Sequence, residues 1–578
     1  MKLYIHQTHH TIGDFKGIRE TIFGALKSPK EGLHLFPELF LCGYPIQDLS
    51  LQRTFIQDYQ KSLGEIDKFC KKLKFRNKAL LLGGLRYEFD QSGLPEKIES
   101  VIYSLVPSQG LKWVYTKRLL PFYDIFDEKK YFTPGNECTF YNFMGKNIAL
   151  MICEDMWPSN SHPVDPAQDI LNKAKKKLDL VVNLSGSPFN IGKIETRIDR
   201  GKEISKLLGA PFVYVNRVGM EDEIIFDGTS FLLNGDQVVW QGKSFKQEEK
   251  EIELPKPKGH SGRPSKTNYK GLNTWENLFS PTLTNKGKKI ILTPLTEKDC
   301  DVVLKALDFG IFDYAQKNGF NNFSVALSGG IDSSLVLTVL KLGLRKGQKV
   351  EAVFMPGLPT SSLSFELCEE LCKNLDIPLK VFPIKFIHKQ IQHAFKEFLN
   401  KDLTGTPDEN IQSRLRGSII YARSNQTQSM VLNTSNKSEI AVGYSTLYGD
   451  SVGALSVLGD LYKTEVYALA DFINRRFKKI IPEKIITREP SAELRHGQLD
   501  SHSLPPYEIL DGILEGLLSY RLGPEDLIKL NFSKKDVLSV YNLYQKSEFK
   551  RHQFCPIIKI KSKSFGFGYR IPICKTWG

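Results

Sequence analysis

The stretch Ala326–Leu335, "ALSGGIDSSL", decides the fold of the second half of the chain. An apolar run ends in two glycines and a helical pattern begins directly after them, which predicts a sharp turn from a strand into a helix. Unpaired backbone N–H groups and the positive end of the helix dipole meet at such a turn and attract an anion. A second strand-like run, "KVEAVFMP" at Lys349–Pro356, completes a strand–helix–strand unit and predicts a parallel sheet.

The loop carries the residue types of a phosphate site but lacks the lysine of the Walker A pattern. Gly329 and Gly330 let the backbone approach a phosphate closely, and Asp332 can hold a magnesium ion that shields phosphate charge. Two glycines alone are typical of a helix cap, whereas the whole Ser-Gly-Gly-Ile-Asp-Ser-Ser run after an apolar strand indicates phosphate binding. Three hydroxyl groups of the loop can donate hydrogen bonds to phosphate: Ser328, Ser333 and Ser334.

Length and composition restrict the class of protein. A chain of 578 residues with 41% hydrophobic and 25% charged residues is expected to form two large folded domains. The net charge of +14 is spread along the chain without aromatic interleaving, which favours small anionic substrates over nucleic acid. Apolar runs have strand length, the N-terminus lacks a signal-peptide pattern, and the nine cysteines show no disulfide spacing. We therefore expect a cytoplasmic protein without membrane segments.

The pattern divides the chain into three parts. Residues 1–253 alternate apolar strand-like runs with amphipathic segments, which predicts an α/β layered domain. Asn234-Gly235, between two apolar runs, predicts a β-hairpin. Residues 254–289 are rich in Pro, Gly, Ser, Thr and Lys and predict a linker. Residues 290–578 form a second domain that opens with a predicted helix at Glu297–Asn318.

The glycine loop resembles the signature loop of the N-type ATP pyrophosphatases, which cleave ATP between the α and β phosphates and pass AMP to an acceptor. The resemblance implies a doubly wound parallel sheet of the adenine nucleotide alpha hydrolase type. It also implies that eight consecutive residues contact ATP: Leu327, Ser328, Gly329, Gly330, Ile331, Asp332, Ser333 and Ser334. Because several enzymes share this loop, it leaves the acceptor open.

Further segments follow the loop in the order found in NAD synthetases. They include "NTSNKSEIAVGYSTLYGDSVGAL" (Asn433–Leu455), "DLYKTEVY" and "REPSAELR". The resemblance implies that Thr434 contacts ATP, and that magnesium is bound by Asp332 and Glu439. It further implies a deamido-NAD site formed by Asn410, Glu439 and Lys550, with Arg414 and Arg416 suited to the pyrophosphate.

The reaction that this resemblance implies has two steps. The carboxylate of deamido-NAD attacks the α-phosphate of ATP and displaces pyrophosphate, and ammonia then displaces AMP to form the amide of NAD. Ammonia is mostly protonated in neutral water, and the ammonium ion is not a nucleophile. Such an enzyme therefore benefits from its own source of NH₃.

The first half of the chain fits this need. "LFPELFLCGYP" (Leu35–Pro45), "VYTKRLLPFYDIFDEKKYFTPG" (Val114–Gly135) and "ALMICEDMWP" (Ala149–Pro158) resemble the Glu, Lys and Cys motifs of the nitrilase superfamily, in the usual order. The resemblance implies a four-layer αββα sandwich with catalytic residues Glu38, Lys117 and Cys153.

Each of these residues has an implied role. The Cys153 thiolate attacks the carboxamide of glutamine, and Glu38 accepts the thiol proton and passes it to the leaving ammonia. Lys117 stabilises the oxyanion and holds the cysteine as a thiolate, while Glu128 orients Lys117.

Selectivity for L-glutamine is implied by further family positions. Tyr123, Ser187 and Lys193 are expected to hold the amino-acid end of the substrate, and "VNRVGMEDEIIFDGTSF" (Val215–Phe231) matches the glutaminase branch. The sequence departs from the family pattern at two positions, which affects local packing. Ser100 stands near the place where the family commonly has Asn, and Lys130 stands where the family commonly has Arg.

Together the two halves resemble the glutamine-dependent NAD(+) synthetases, with L-glutamine, ATP and deamido-NAD as substrates, Mg²⁺ as cofactor and a homo-oligomer as the assembly. Two alternatives remain open. One is another glutamine-dependent amidotransferase that adenylates a different carboxylate or carbonyl, against which "NKSEIAVGY" (Asn436–Tyr444) and the Cys-type nitrilase domain argue. The other is a nitrilase-type amidase whose second half only senses a nucleotide. Dependence of the product on ATP cleavage to AMP and pyrophosphate separates the second alternative from a synthetase.

Overall fold

A computed structural model describes residues 1–74, 77–158, 162–258, 292, 294–491 and 493–576. The chain forms two compact units, Met1–Ser280 and Pro281–Gly578. Their boundary falls within the predicted linker at 254–289. Residues 254–258 of that linker are irregular, and the rest lies outside the described residues.

The described strands of unit 1 form two six-stranded sheets and one separate hairpin. The first sheet has the order β14-β1-β2-β3-β4-β5, the second the order β13-β12-β9-β8-β7-β6, and the hairpin pairs β10 with β11. In chain order the strands are β1 (Lys2–Gln7), β2 (Gly32–Leu35), β3 (Lys78–Phe89), β4 (Pro95–Val106), β5 (Gly110–Thr116), β6 (Phe140–Phe143), β7 (Lys146–Ile152), β8 (Leu180–Ser185), β9 (Phe212–Asn216), β10 (Val218–Glu221), β11 (Ile224–Asp227), β12 (Phe231–Asn234), β13 (Gln237–Gln241) and β14 (Glu248–Glu253).

Helices cover the outer face of each sheet of unit 1. Side chains of α1 and α2 pack on the outside of the first sheet, and those of α4 and α5 pack on the second. Apolar residues of both sheets meet between them, Leu3 and Ile5 on one side and Ile148 and Leu150 on the other. The predicted four-layer αββα sandwich is therefore confirmed. The helices are α1 (Phe15–Lys27), α2 (Arg53–Lys71), α3 (Glu128–Tyr131), α4 (Pro166–Lys173) and α5 (Lys193–Leu208).

Local sequence signals of unit 1 agree with the structure. β12 and β13 form the hairpin predicted from Asn234-Gly235, and Gly235 adopts a φ of +63°, which glycine accepts without steric cost. Two short 3₁₀ turns complete the unit, Gln47–Leu51 and Cys153–Met156. In the described part of the chain, no helix is long and apolar enough to cross a membrane.

Unit 2 is built on a parallel sheet. Its described strands are β15 (Asn322–Leu327), β16 (Lys349–Phe354), β17 (Leu379–Val381), β18 (Ser429–Asn433) and β19 (Leu455–Ser456), in the order β17-β16-β15-β18-β19. All neighbouring pairs are parallel. The chain winds outward from β15 in both directions, so a topological switch point lies between β15 and β18, where ligands bind in folds of this type. The predicted doubly wound sheet is confirmed.

Helices connect and surround these strands. α6 begins after Thr296, whose hydroxyl accepts a hydrogen bond from Asp299 N, and it ends one residue before the predicted limit at Asn318. The helices are α6 (Glu297–Lys317), α7 (Ile331–Gly343), α8 (Ser362–Leu375), α9 (Lys385–Leu399), α10 (Thr406–Thr427), α11 (Lys437–Val442), α12 (Lys463–Arg476), α13 (Glu483–Thr487), α14 (Tyr507–Leu518), α15 (Pro524–Lys529), α16 (Lys534–Lys546) and α17 (Glu548–Arg551), with a 3₁₀ turn at Asp500–His502.

Candidate active sites

A buried lysine forms the centre of the site in unit 1. Lys117 follows β5, and its fully buried Nζ lies 2.6 Å from Glu38 Oε1. The same Nζ lies 2.9 and 2.7 Å from the two oxygens of Glu128, the first residue of α3. Tyr44 adds a hydrogen bond of 2.9 Å from its hydroxyl to Glu128 Oε1. The structure thus brings together three acid–base groups that are far apart in the sequence.

The backbone around Glu38 explains why its side chain reaches this site. Gly83 of β3 lies so close to it that a Cβ at position 83 would stand 2.6 Å from Glu38 Cα and 2.4 Å from Pro37 O. Glycine permits that approach because it has no Cβ. The second carboxylate oxygen of Glu38 accepts a hydrogen bond of 2.9 Å from Gly186 N. Glu38 is therefore fixed at both oxygens.

Cys153 lies at the sharp turn that follows β7. Its φ is +39°, a strained value for a residue with a side chain, and it opens the 3₁₀ turn Cys153–Met156. Asp155 holds this turn, because its carboxylate accepts hydrogen bonds from Ile152 N at 2.9 Å, Arg118 N at 3.0 Å and Leu119 N at 2.8 Å. The turn that carries Cys153 is thereby joined to the residues directly after Lys117.

Burial sets the protonation of this cluster. It raises the pKa of the Cys153 thiol well above its usual range, and the Glu38 charge raises it further, which outweighs the lowering by Lys117. Burial alone would lower the pKa of Lys117, but the carboxylates of Glu128 and Glu38 raise it well above its usual value. Burial raises the pKa of Glu128 to about 7. Both shifts favour the protonated forms, a thiol at Cys153 and an ammonium group at Lys117, whereas the sequence predicted that Lys117 holds the cysteine as a thiolate.

Two of the three predicted glutamine residues, Tyr123 and Lys193, lie near a second buried acid. The Tyr123 hydroxyl donates to Glu154 at 3.0 Å, and burial raises the pKa of Glu154 to about 8. Lys193, the first residue of α5, lies near enough for the Glu154 charge to act on its pKa, which burial lowers. Ser187 is buried in the loop after β8. Glu154 was not predicted as a site residue, although its place directly after the proposed nucleophile is a usable signal.

Unit 2 contains a cavity of about 260 Å³ at the switch point between β15 and β18. Two residues of the predicted ATP loop do not line it. Gly329 has a φ of +83° and backs onto Ser364, while Ser334 is fully buried and donates to Gly330 O at 2.8 Å. The other predicted ATP residues line the cavity, together with Glu439: Leu327, Ser328, Gly330, Ile331, Asp332, Ser333 and Thr434.

Two carboxylates of the cavity share one lysine. Lys463 Nζ lies 2.5 Å from Asp332 Oδ2 and 3.3 Å from Glu439 Oε1. Asn436 caps α11, the helix of Glu439, by accepting from Glu439 N at 3.0 Å, and its amide donates to Asp332 Oδ1 at 2.9 Å. Burial raises the pKa of Glu439 to about 8 even though Lys463 acts to lower it. Lys463 lies in the motif "DLYKTEVY" but was not itself predicted as a site residue.

The residues of this cavity fit a magnesium ion that also binds phosphate. Among the described residues, no group of three or more His, Cys, Asp or Glu side chains is arranged as a metal site. Mg²⁺ commonly uses only one or two carboxylates and takes its remaining ligands from phosphate and water. Asp332 and Glu439 both line the cavity and could supply that pair.

The other predicted deamido-NAD residues contact a single loop, residues 443–450. Asn410 Oδ1 accepts from Thr446 Oγ1 at 2.7 Å, and Lys550 Nζ donates to Gly443 O at 2.8 Å and Ser445 O at 2.6 Å. This loop directly follows α11. The structure therefore places Asn410 and Lys550 beside the loop after Glu439, and neither of them lines the cavity itself.

The predicted pyrophosphate arginines of α10 have different surroundings. Arg416 lines the cavity, donates from Nε to Met355 O at 2.9 Å, and has its pKa lowered to about 10 by burial. Arg414 donates from Nε to Leu447 O at 3.2 Å. Of the two, only Arg416 therefore lines the cavity.

Known proteins match the chain over its whole length. A family model described as NAD synthase matches residues 303–554. The glutamine-dependent NAD(+) synthetase of Synechocystis sp. is 34% identical over 582 residues, which cover 99% of this chain and 98% of the relative. That of Thermotoga maritima is 35% identical over 591 residues, with coverages of 99% and 98%.

A solved structure agrees with these sequence matches. The glutamine-dependent NAD+ synthetase of Acinetobacter baumannii in complex with adenosine diphosphate has a TM-score of 0.69 and 29% identity to this chain. The alignment covers 100% of this chain and 99% of that one. The chain therefore belongs to the family of glutamine-dependent NAD(+) synthetases.

Proposed function

We propose that the chain makes NAD(+) from deamido-NAD, ATP and L-glutamine, the last step of NAD biosynthesis, with AMP, pyrophosphate and glutamate as the other products. Unit 1 releases ammonia from glutamine, and unit 2 activates and amidates deamido-NAD. One observation carries this proposal. A single chain combines a buried Cys–Glu–Lys cluster with a carboxylate-lined cavity at the switch point of a parallel sheet, and it matches relatives of this name over 99% of its length.

In unit 1, Cys153 Sγ attacks the carboxamide carbon of glutamine and Glu38 takes the thiol proton. Glu38 then gives that proton to the departing ammonia, and water hydrolyses the thioester to glutamate. The raised pKa of Cys153 supports this sequence of events, because a thiol needs a base at the moment of attack. Lys117 stabilises the oxyanion from a fully buried position 2.6 Å from Glu38.

The amino-acid end of glutamine is proposed to lie among Tyr123, Ser187, Lys193 and Glu154. The substrate carries an ammonium and a carboxylate, so an anionic and a cationic side chain suit its two charges. Glu154 and Lys193 supply that pair, and Tyr123 orients Glu154 with a hydrogen bond of 3.0 Å.

In unit 2, the proposed ATP contacts place the phosphates at the loop before α7 and at Thr434. The carboxylate of deamido-NAD attacks the α-phosphorus and pyrophosphate leaves, after which ammonia attacks the carbonyl of the adenylate and AMP leaves. Asp332 and Glu439 would hold Mg²⁺, which supplies positive charge for the phosphates when it is bound. Lys463 adds a fixed cation to the same cavity.

Three further expectations stay proposals. Deamido-NAD is proposed to contact Asn410 and Lys550 beside the loop of residues 443–450. The Asn410 side chain contacts a side chain of this loop, and the Lys550 side chain contacts its backbone. The cytoplasmic location and the homo-oligomer rest on the family resemblance alone.

The two donors of ammonia test this proposal. NAD is measured with deamido-NAD, ATP and magnesium, with either glutamine or ammonium as donor, for the wild type and Cys153→Ala. We expect the variant to lose the glutamine-driven reaction and to keep the ammonium-driven reaction. If the wild type made no NAD from either donor, the synthetase function would be refuted.

A further inference from the structure

A buried arginine lies behind the proposed glutamine site and has no part in the chemistry described so far. Arg197 belongs to α5 and stands four residues after Lys193, which is one helical turn. Only 1% of its side chain is exposed. Burying a cation is costly unless it is paired and hydrogen-bonded, so the partners of Arg197 define what it does.

Arg197 joins the helix of Lys193 to the loop of Ser187. Its Nη2 donates to Ser187 O at 2.9 Å and to Pro188 O at 2.6 Å. Lys193 and Ser187 are the residues proposed to bind glutamine from α5 and from the loop after β8. A single guanidinium therefore fixes the spacing between the two elements that carry them.

The other end of the guanidinium is held by a carboxylate. Arg197 Nη1 lies 2.8 and 3.0 Å from the two oxygens of Asp227, which is itself fully buried at the end of β11. A planar guanidinium that binds a carboxylate on one side and two carbonyls on the other has a defined orientation. Asp227 thus orients the donors that reach the Ser187 loop.

The hairpin β10–β11, which carries Asp227, also contacts the Ser187 loop directly. It belongs to neither large sheet, and it contacts the Ser187 loop through a hydrogen bond of 2.7 Å from Phe189 N to Ile225 O. Asn216, at the end of β9, also hydrogen-bonds the backbone of Ser187. It accepts from Ser187 N at 2.9 Å and donates to Ser187 O at 3.1 Å. The backbone of Ser187 is therefore held from two sides.

We propose that Arg197 is a positioning residue for glutamine: through Asp227 and the Ser187 loop, it sets the distance between Ser187 and Lys193 without touching the substrate. This inference rests on the proposed contacts of Ser187 and Lys193 with glutamine. It concerns only unit 1, so the ammonium-driven reaction of the same protein serves as an internal reference.

The test uses Arg197→Lys in the full chain. Lysine keeps the charge but is shorter and carries its donors on a single nitrogen, so it cannot span from the Asp227 carboxylate to the two carbonyls on the other side of the guanidinium. We expect the KM for glutamine to rise by about tenfold or more, since small misplacements in a site can cost up to about a hundredfold. The kcat at saturating glutamine and the ammonium-driven rate should stay close to those of the wild type.

Lys78→Gln is the matched control. Lys78 is another fully buried cation of unit 1 that donates to backbone carbonyls, Ala25 O at 2.9 Å and Leu26 O at 3.3 Å, and these carbonyls lie at the end of α1. This variant should lower the melting temperature and leave the KM for glutamine unchanged. It shows whether disturbing a buried cation that is remote from the Ser187 loop is enough to change the KM for glutamine.

The KM for glutamine in folded variants decides the matter. A glutamine KM that stays at the wild-type value in folded Arg197→Lys overturns the inference, and so does an equal rise in Lys78→Gln. If Arg197→Lys does not fold, Asp227→Asn replaces it, and the same KM criterion then supports or overturns the proposal. Ser187→Ala and Lys193→Ala test the underlying site separately, because an unchanged KM in both refutes the proposed glutamine contacts whatever Arg197 does.

Discussion

The two sites use the same arrangement, one lysine between two carboxylates, but differ in its exposure. In unit 1, the side chains of Lys117, Glu38 and Glu128 are 0%, 1% and 5% exposed. In unit 2, Lys463 is 3% exposed, whereas its partners Asp332 and Glu439 are 17% and 18% exposed. The difference in exposure indicates which chemistry each cluster suits. The first is complete within the protein and suits acid–base chemistry, while the second leaves carboxylate oxygens open to a metal ion and phosphate.

The largest effect is expected from Lys117→Met. Loss of the cation removes the proposed oxyanion contact and leaves two buried carboxylates unpaired, so glutamine-driven NAD formation should fall by about 10³-fold. The ammonium-driven rate, measured on the same preparation, should persist. An equal loss with both donors would contradict the assignment of this lysine to glutamine chemistry.

Lys463→Met should affect the reaction in unit 2. Because it removes a fixed cation from the cavity, NAD formation should fall by about 10²-fold with both donors, whereas glutamine hydrolysis by unit 1 is retained. Lys561→Met is the control, since Lys561 pairs with Glu465 at 2.6 Å and does not line the cavity. If only the glutamine-driven rate fell, the role of Lys463 in unit 2 would be wrong.

The pH dependence of the KM for glutamine tests the role of Glu154 in unit 1. Glu154 has its pKa raised to about 8 by burial, so it is increasingly protonated, and less attractive to the glutamine ammonium, as the pH falls below 8. The KM for glutamine should therefore rise by up to about tenfold per pH unit between pH 8 and pH 6.5. Glu154→Gln should have a high KM that is flat over this range. A wild-type KM that is equally flat would exclude Glu154 from ammonium binding.

The smallest effect is expected from Tyr44→Phe. Its hydroxyl donates to Glu128 at 2.9 Å, and removing one hydrogen bond costs about 1 kcal/mol, so glutamine-driven kcat should fall by about threefold to tenfold. Tyr59→Phe is the control, because that buried hydroxyl bonds Leu85 O and lies apart from Glu128. Equal losses in the two variants would show that the effect is one of packing.

The sequence predicted most of the fold because its signals are local. The Gly329–Gly330 turn and the Asn234-Gly235 hairpin each depend on a few adjacent residues, and both turns are present in the structure. The motif order likewise predicted that Glu38 and Lys117 act together, and the structure places their charged atoms 2.6 Å apart.

The rest depends on contacts between residues far apart in the sequence. Lys463 meets Asp332 across 131 positions, and Arg197 meets Asp227 across 30, so neither pair has a spacing signature. The direction of each side chain within the phosphate loop also could not be predicted from the sequence. A run of eight residues does not reveal that Ser334 turns into the helix and away from the cavity.

The hydrogen bonds of Asp155 have a consequence for how the first site is assembled. Its carboxylate bonds the amides of Arg118 and Leu119 and that of Ile152, so the peptide segments on either side of it cannot shift independently. The fold itself therefore fixes the position of Cys153 relative to Lys117. If glutamine reacts at Cys153 as proposed, its binding free energy is not spent on assembling the site and remains for recognition of the amino acid and for the transition state.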